Sequence, residues 1–129
     1  MEAKERRPRV LVVDDEISIR FGLGGFLQDC DYDVEAVASR IEAQASFHVN
    51  KHDLVITDYR LGSRDVGGGL TLARWIKSRS PATRVVLMTA YGSPTLEVEA
   101  AQLQCAVLAK PFALDAVAKI VDELGAAAA

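Results

Sequence analysis

Several residues that could act together chemically follow directly after short apolar runs of the sequence. Asp14 and Asp15 follow RVLVV, and Asp58 follows DLVIT. Further along, Thr89 ends RVVLMT, and Lys110 follows AVLA. An apolar, β-branched run with polar ends is typical of a strand covered on both faces, where an ionised group is costly unless it is paired. These five residues are therefore candidates for a site at the rim of a sheet.

Three carboxylates at one rim would repel one another. At a separation of about 4 Å and an effective dielectric constant near 20, a pair of them repels by roughly 4 kcal/mol. Mg²⁺ suits such an all-oxygen set, because it takes one or two carboxylates and keeps several waters. One carboxylate could then accept a phosphoryl group, since this transfer depends chiefly on positioning and on stabilising the equatorial oxygens. The Lys110 ammonium and the Thr89 hydroxyl are suitable stabilisers.

Alternating strands and helices must position these residues. The predicted strands cover residues 9–13, 33–37, 53–57, 84–89 and 106–109. Apolar residues at helical spacing mark a helix after each strand, with Val98 and Ala101 marking the fourth. Parallel neighbours need crossover connections. We therefore expect an α/β fold, a flavodoxin-like doubly wound (βα)5 unit with a five-stranded parallel sheet and helices on both faces. In such sheets the ligand crevice lies beyond the carboxyl ends of the strands.

Length and composition fit one globular domain. The chain has 129 residues, half of them hydrophobic, and a net charge of −3. No apolar stretch approaches the roughly 20 residues of a membrane span, and residues 1–8 lack the apolar segment of a signal peptide, so we expect a cytoplasmic protein. The basic residues near the start are read as a solvated terminus, because no nucleic-acid recognition motif accompanies them.

Other residues that attract attention have simpler interpretations. Cys30 and Cys105 are predicted to be small buried hydrophobes rather than a disulfide or metal site. His48 and His52 lack ligand partners at metal spacing and are predicted to be exposed. The run Gly67–Gly69 lacks the lysine and hydroxyl residue of a phosphate-binding P-loop and is interpreted as a mobile loop. Trp75 is expected to pack in the core.

In combination, these motifs resemble the receiver domains of two-component response regulators. The resemblance runs from about Arg9 to Leu124 and rests on an acid pair after strand one, Asp after strand three, Thr-Ala after strand four and Lys-Pro after strand five. It implies a basic extension over residues 1–8, a receiver domain over 9–124, and a tail or the start of a linker over 125–129.

The resemblance also implies a role for each site residue. Asp58 would accept the phosphoryl group. Mg²⁺ would be bound directly by Asp15, mainly through water by Asp14, by Asp58, and by the main-chain carbonyl of Arg60. Thr89 would bond a phosphoryl oxygen and Lys110 would pair with the phosphoryl group.

The resemblance extends to partners as well. The donor would be a phosphohistidine on a histidine kinase or histidine phosphotransfer protein, and the output would go to a downstream protein or effector domain. A homodimer through the face between the fourth and fifth helices is a further option. No nucleic acid or membrane partner is expected for this chain, and it would modify itself rather than act as a turnover enzyme.

Three positions depart from the family pattern. Gly62 stands where proline is usual, in a loop that is longer by a few residues. Val107 stands where an aromatic residue is common, three residues before the lysine. Gln104 stands where glycine is frequent.

Alternative functions remain at this point. A Mg²⁺-dependent phosphohydrolase that passes through aspartyl-phosphate is disfavoured, because Asp58 is followed by Tyr59 and Arg60 rather than by a second acid two residues on. A flavodoxin-like flavin binder is disfavoured by the acids after the first strand, which would repel a flavin phosphate. A receiver-like module that works without phosphorylation is disfavoured by the intact residue set.

Overall fold

The computed structural model describes residues 7–62, 64–65 and 67–128, and these residues have the predicted alternating architecture. Each strand is followed by a helix. The elements are β1 (Arg9–Val13), α1 (Ile17–Asp29), β2 (Asp33–Val37), α2 (Arg40–Asn50), β3 (Leu54–Asp58), α3 (Gly68–Arg79), β4 (Arg84–Thr89), α4 (Pro94–Gln102), β5 (Ala106–Ala109) and α5 (Leu114–Ala128). Most of the predicted basic extension lies outside the described residues.

The strands form one parallel sheet in the order β2-β1-β3-β4-β5. The chain moves from β1 to β2 on one side and then returns to place β3 on the other side of β1. This reversal makes the carboxyl ends of β1 and β3 the switch point, where doubly wound sheets bind their ligands. Asp14 directly follows β1 and Asp58 is the last residue of β3.

Helices cover both faces of the sheet and explain the apolar strands. Alternate residues of β1 enter two different cores: Leu11 and Val13 pack with residues of α2, α3 and α4, whereas Val10 and Val12 pack with residues of α1 and α5. All five residues of β3 are buried. A strand without a solvent face is therefore fixed tightly in place, and so is the acid at its end.

The buried residues of α4 differ from the predicted ones. Val98 and Ala101, the two residues taken as its apolar face, are exposed, and Leu96 and Ala100 are buried instead. The helix begins at Pro94 with the Ser93 hydroxyl accepting a hydrogen bond from the Leu96 amide. Leu96 and Ala100 lie four residues apart on one side of the helix, and because this side packs against the core, Val98 and Ala101 are left at the surface.

The histidine and cysteine predictions are each half right. His48 is exposed, as predicted, but His52 is 2% exposed, stacks on Phe47 and shares a 2.9 Å hydrogen bond with Glu35. Cys105 is buried, whereas Cys30 is exposed at the carboxyl end of α1. A carboxylate partner on β2, 17 residues away in the sequence, permits the burial of His52, and no local pattern reveals such a partner.

Trp75 packs against the core, and its ring forms an edge-to-face pair with Phe47, which confirms the predicted packing role. Within the described residues, no helix combines the length and the apolar character needed to cross a bilayer.

Candidate functional site

Three carboxylates meet at the switch point of the sheet. Asp14, Asp15 and Asp58 each offer an oxygen, and these oxygens all lie within 4.8 Å of one another. Asp14 is completely buried, Asp58 is 9% exposed, and Asp15 is exposed. The structure thus brings together the acids after β1 and β3, as predicted, and only one of them faces solvent freely.

Lys110, the residue after β5, extends its ammonium into this cluster. Its Nζ lies 2.9 Å from Oδ2 of Asp14 and 3.3 Å from Oδ2 of Asp58. Burial alone would lower the pKa of Lys110, but the hydrogen bond and charge of Asp14, together with Asp58, raise it above its ordinary value. Lys110 is therefore firmly protonated and compensates part of the negative charge.

The two buried acids differ in how well they are satisfied. Asp14 accepts hydrogen bonds at both carboxylate oxygens, from the Glu16 amide at 2.9 Å and from Lys110. Burial raises the pKa of Asp58, and the nearby charges of Asp14 and Asp15 raise it further, while Lys110 opposes the shift. Asp58 thus carries a charge that its surroundings compensate incompletely.

This donor set fits Mg²⁺. Hard divalent cations take carboxylate oxygens, and the incompletely compensated Asp58 beside an exposed Asp15 leaves two acids that gain from such a cation. Arg60, whose carbonyl is the fourth predicted ligand, is exposed two residues after the end of β3. Its role stays a prediction.

Thr89 lies at the same rim, but its hydroxyl faces its own loop. The residue is 3% exposed, and Oγ1 donates to the Tyr91 main-chain oxygen at 3.0 Å and accepts from the Tyr91 amide at 3.2 Å. A hydrogen bond from Thr89 to a phosphoryl group would therefore replace bonds that now hold the β4–α4 loop.

The glycine run before α3 has a structural role beside Asp58. The mobile-loop prediction is wrong for Gly68 and Gly69, because both are buried in the first turn of α3. Gly69 donates its amide to the Tyr59 oxygen at 2.9 Å, and a Cβ at this position would collide with the main-chain oxygen of Asp58. Close approach of α3 to the acceptor strand therefore requires glycine.

The loop after β3 takes a path that proline could not follow. Gly62 has a φ of +93°, whereas the proline ring holds φ near −65°. Asp65, which the sequence analysis did not single out, organises this loop: its main-chain oxygen accepts from the Leu61 amide, and its carboxylate accepts from Arg40 Nε at 3.0 Å. Only tertiary contact reveals this role, because Arg40 lies 25 residues away.

A partly apolar groove opens beside the acids. It has a volume of about 410 Å³ and runs between the start of α1 and the β5–α5 connection. Lys110 forms part of its wall together with Ile19, Gly22, Phe112 and Leu114. The groove therefore shares Lys110 with the acid cluster.

The sheet order and the acidic rim define a flavodoxin-like α/β protein whose switch point gathers three carboxylates and the Lys110 ammonium. The family model for the response regulator receiver domain matches residues 10–122, and the chain belongs to this family. The predicted fold and the predicted family are thereby confirmed.

Known relatives agree with this assignment. The response regulator protein PilR of Pseudomonas aeruginosa is 36% identical over 94 residues, which cover 73% of this chain and 20% of PilR. The transcriptional regulatory protein ZraR of Escherichia coli is 36% identical over 91 residues, which cover 70% of this chain and 20% of ZraR. The chain therefore spans about a fifth of the length of these curated relatives.

Solved structures share the fold along almost the whole chain. The chemotaxis protein CheY4 of Vibrio cholerae has a TM-score of 0.83 at 28% identity, covering 92% of this chain and 99% of that one. The signal receiver domain of a putative Luxo repressor protein from Vibrio parahaemolyticus has a TM-score of 0.86 at 30% identity, covering 95% and 93%.

Proposed function

We propose that this receiver domain is a phosphorylation-controlled switch in which Asp58 accepts a phosphoryl group from a phosphohistidine. The observation that carries the proposal is the state of Asp58: it ends a fully buried strand, lies 3.3 Å from Lys110, and stays incompletely compensated beside two more acids. A carboxylate in this setting gains from a cation and is fixed in position for in-line attack.

Mg²⁺ bound by Asp15, by Asp58, by Asp14 mainly through water, and by the Arg60 carbonyl would neutralise charge on the transferring group. Lys110 would turn from Asp58 towards the phosphoryl oxygens while keeping its bond to Asp14. Because Asp14 already accepts two protein hydrogen bonds, a contact through water suits it better than direct ligation. The chain would modify itself and would not turn over a separate substrate.

The phosphohydrolase alternative gains no support from the residues after Asp58. Tyr59 is half-buried and packs against the core, and Arg60 is an exposed cation. Neither side chain can serve as the second carboxylic acid that this chemistry uses for proton transfer.

Mass spectrometry of the intact protein tests the proposal directly. After incubation with a small-molecule phosphodonor, the wild type should gain one phosphoryl group in the presence of Mg²⁺ and none with a chelator. Asp58→Asn should gain none, while Glu123→Gln, an exposed acid on α5, should behave as wild type. Phosphorylation of Asp58→Asn at the wild-type level would refute the assignment.

The groove beside the site is the proposed seat of the donor protein, a histidine kinase or a histidine phosphotransfer protein. Lys110 forms part of the groove wall and lies 3.3 Å from Asp58, so a helix that presents a phosphohistidine could dock there and reach the acceptor. The curated relatives are named as response and transcriptional regulators, and we propose that the output likewise passes to a downstream protein or effector domain.

Output should leave the site through the β4–α4 loop. Thr89 would exchange its bonds to Tyr91 for a charge-assisted bond to the phosphoryl group, which is about twice as strong as a neutral one. Val107 has no ring to swing behind it. The loop from Ala90 to Thr95 and α4 would therefore carry the change, either to a partner or to a second copy through the face between α4 and α5.

Backbone amide shifts with and without beryllofluoride, a stand-in for the phosphoryl group, test this route. We expect changes that extend from Ala90 to Ala101. Changes restricted to residues that contact the ligand would contradict the route and direct attention to the loop that begins at Gly62.

A further inference from the structure

Arg20 is a cation beside the acidic rim, and its guanidinium binds the main chain there. Its side chain is half-buried on α1, one turn after Glu16, and its Nη1 donates a 2.8 Å hydrogen bond to the main-chain oxygen of Asp14. Across residues 7–62, 64–65 and 67–128, no carboxylate lies within ion-pair distance of Arg20. Neutralisation of the acids therefore does not explain why a guanidinium lies here.

The oxygen that Arg20 holds belongs to the peptide bond between Asp14 and Asp15. Asp14 is fixed at other points too, through its amide, which donates to Val37, and through both carboxylate oxygens. Asp15 is exposed, and no described residue hydrogen-bonds its carboxylate. The direction of the Asp15 side chain thus depends on the plane of the preceding peptide, which Arg20 fixes from one side.

We infer that Arg20 is a positioning residue for the cation: by holding the Asp14 carbonyl it aims the Asp15 carboxylate at the metal. The inference rests on the proposed function, in which Asp15 is a direct ligand. Partners that orient metal ligands from outside are often worth ten- to hundredfold in metal affinity. Because the Arg20 guanidinium binds a main-chain carbonyl, it can orient the peptide without pairing with the carboxylates that would bind the metal.

Simple electrostatics predicts the opposite effect of removing Arg20. A positive charge near the rim repels Mg²⁺, so its loss would tighten cation binding if charge were all that mattered. The positioning role predicts weaker binding. The sign of the change in Mg²⁺ affinity therefore separates the two explanations. A structural role that affects only folding would leave the Mg²⁺ affinity of the folded protein unchanged.

Calorimetric titration with Mg²⁺, without a phosphodonor, measures this sign. Arg20→Met, which removes both charge and donor, should weaken binding about tenfold. Arg20→Lys keeps the charge and can still donate one hydrogen bond, so it should recover most of the affinity. Arg79→Met controls for charge, because Arg79 contacts Trp75 at the carboxyl end of α3, and it should bind Mg²⁺ as the wild type does.

Far-UV circular dichroism identifies any variant that fails to fold, and Arg20→Ala, which also lacks a side-chain donor, then replaces Arg20→Met. Wild-type or tighter Mg²⁺ binding by the folded Met or Ala variant would overturn the inference, as would equal losses in Arg20→Met and Arg20→Lys. Failure of the proposed function looks different: the wild type itself would not bind Mg²⁺, or Asp15→Asn would leave its affinity unchanged.

Discussion

The two ends of the sheet both gather ionisable side chains, but they combine them in opposite ways. At the carboxyl end, three carboxylates cluster, and the Lys110 ammonium contacts two of them. At the amino end, acidic and basic residues are mixed around a pocket of about 240 Å³: His52 shares a hydrogen bond with Glu35, which also accepts from Asn50, and Arg9 donates to the Asn50 oxygen.

The pKa shifts of the acids follow this difference. Burial raises the pKa of Glu35, but the nearby Ser46 hydroxyl, the hydrogen bond and charge of His52 and the hydrogen bond from Asn50 outweigh it, so the net shift is downward. Asp58 is shifted upward by burial and by Asp14. An acid satisfied by its neighbours stabilises the fold, whereas an ionised acid repelled by its neighbours destabilises it. Variants at each end should therefore separate folding from function.

The largest effect on stability is expected for Gly69→Ala, at the carboxyl end. The new Cβ would collide with backbone of Asp58 that cannot move, so the free energy of unfolding should fall by about 3 kcal/mol or more. Urea denaturation measures it. Gly25→Ala is the matched control: its Cβ meets nothing within 4 Å, and alanine should stabilise α1 by about 1 kcal/mol. Equal effects of the two variants would contradict the packing role.

At the amino end, His52→Ala should lower the free energy of unfolding by about 2 kcal/mol, since it removes a buried ring and a hydrogen bond. His48→Ala, on the exposed side of α2, should stay within about 0.5 kcal/mol of wild type. Both variants, when folded, should accept a phosphoryl group at the wild-type level. A loss of phosphorylation in His52→Ala would mean that the two ends are coupled.

A smaller effect, of opposite sign, is expected for Asp58→Asn without Mg²⁺. The folded-state pKa of Asp58 lies above its ordinary value of 3.8, so ionisation of Asp58 begins to destabilise the fold as the pH rises above 3.8, and the loss is complete above the folded-state pKa. Removal of the charge should raise the thermal midpoint at pH 7, and the gain should disappear as the pH falls to 3.8 and below. A midpoint below that of wild type at pH 7 would show that Asp58 stabilises the fold.

The smallest effect is expected for Glu35→Gln. Because the Glu35 pKa is lowered from its ordinary value of 4.5, its ionised form adds stability above pH 4.5, and this stability is lost as the pH falls through the folded-state pKa. The side chain is 41% exposed, so the loss at neutral pH should be below about 1 kcal/mol. Acid unfolding should become less steep in the variant. An unchanged acid transition would assign the pH dependence to other carboxylates.

Much of the candidate site could be predicted because its residues follow buried strands. Asp14, Asp15, Asp58, Thr89 and Lys110 all lie at one rim, since the carboxyl ends of parallel strands share an edge. The direction of a hydroxyl could not be predicted in the same way. Thr89 bonds its own loop, and only the path of residues 90–92 decides this.

The sequence by itself determined the order of strands and helices, the two-sided burial of the sheet, and the residues that end each strand. These features depend on local spacing and on the apolar period of each segment, which can be read without knowing what packs against it. Tertiary structure alone decided that His52 is buried against Glu35, that Gly69 backs Asp58, that Asp65 holds the loop through Arg40, and that Arg20 holds the Asp14 carbonyl. The physical reason is that each of these roles depends on a partner that folding brings within a few ångströms. The spacing of residues along the sequence does not identify that partner.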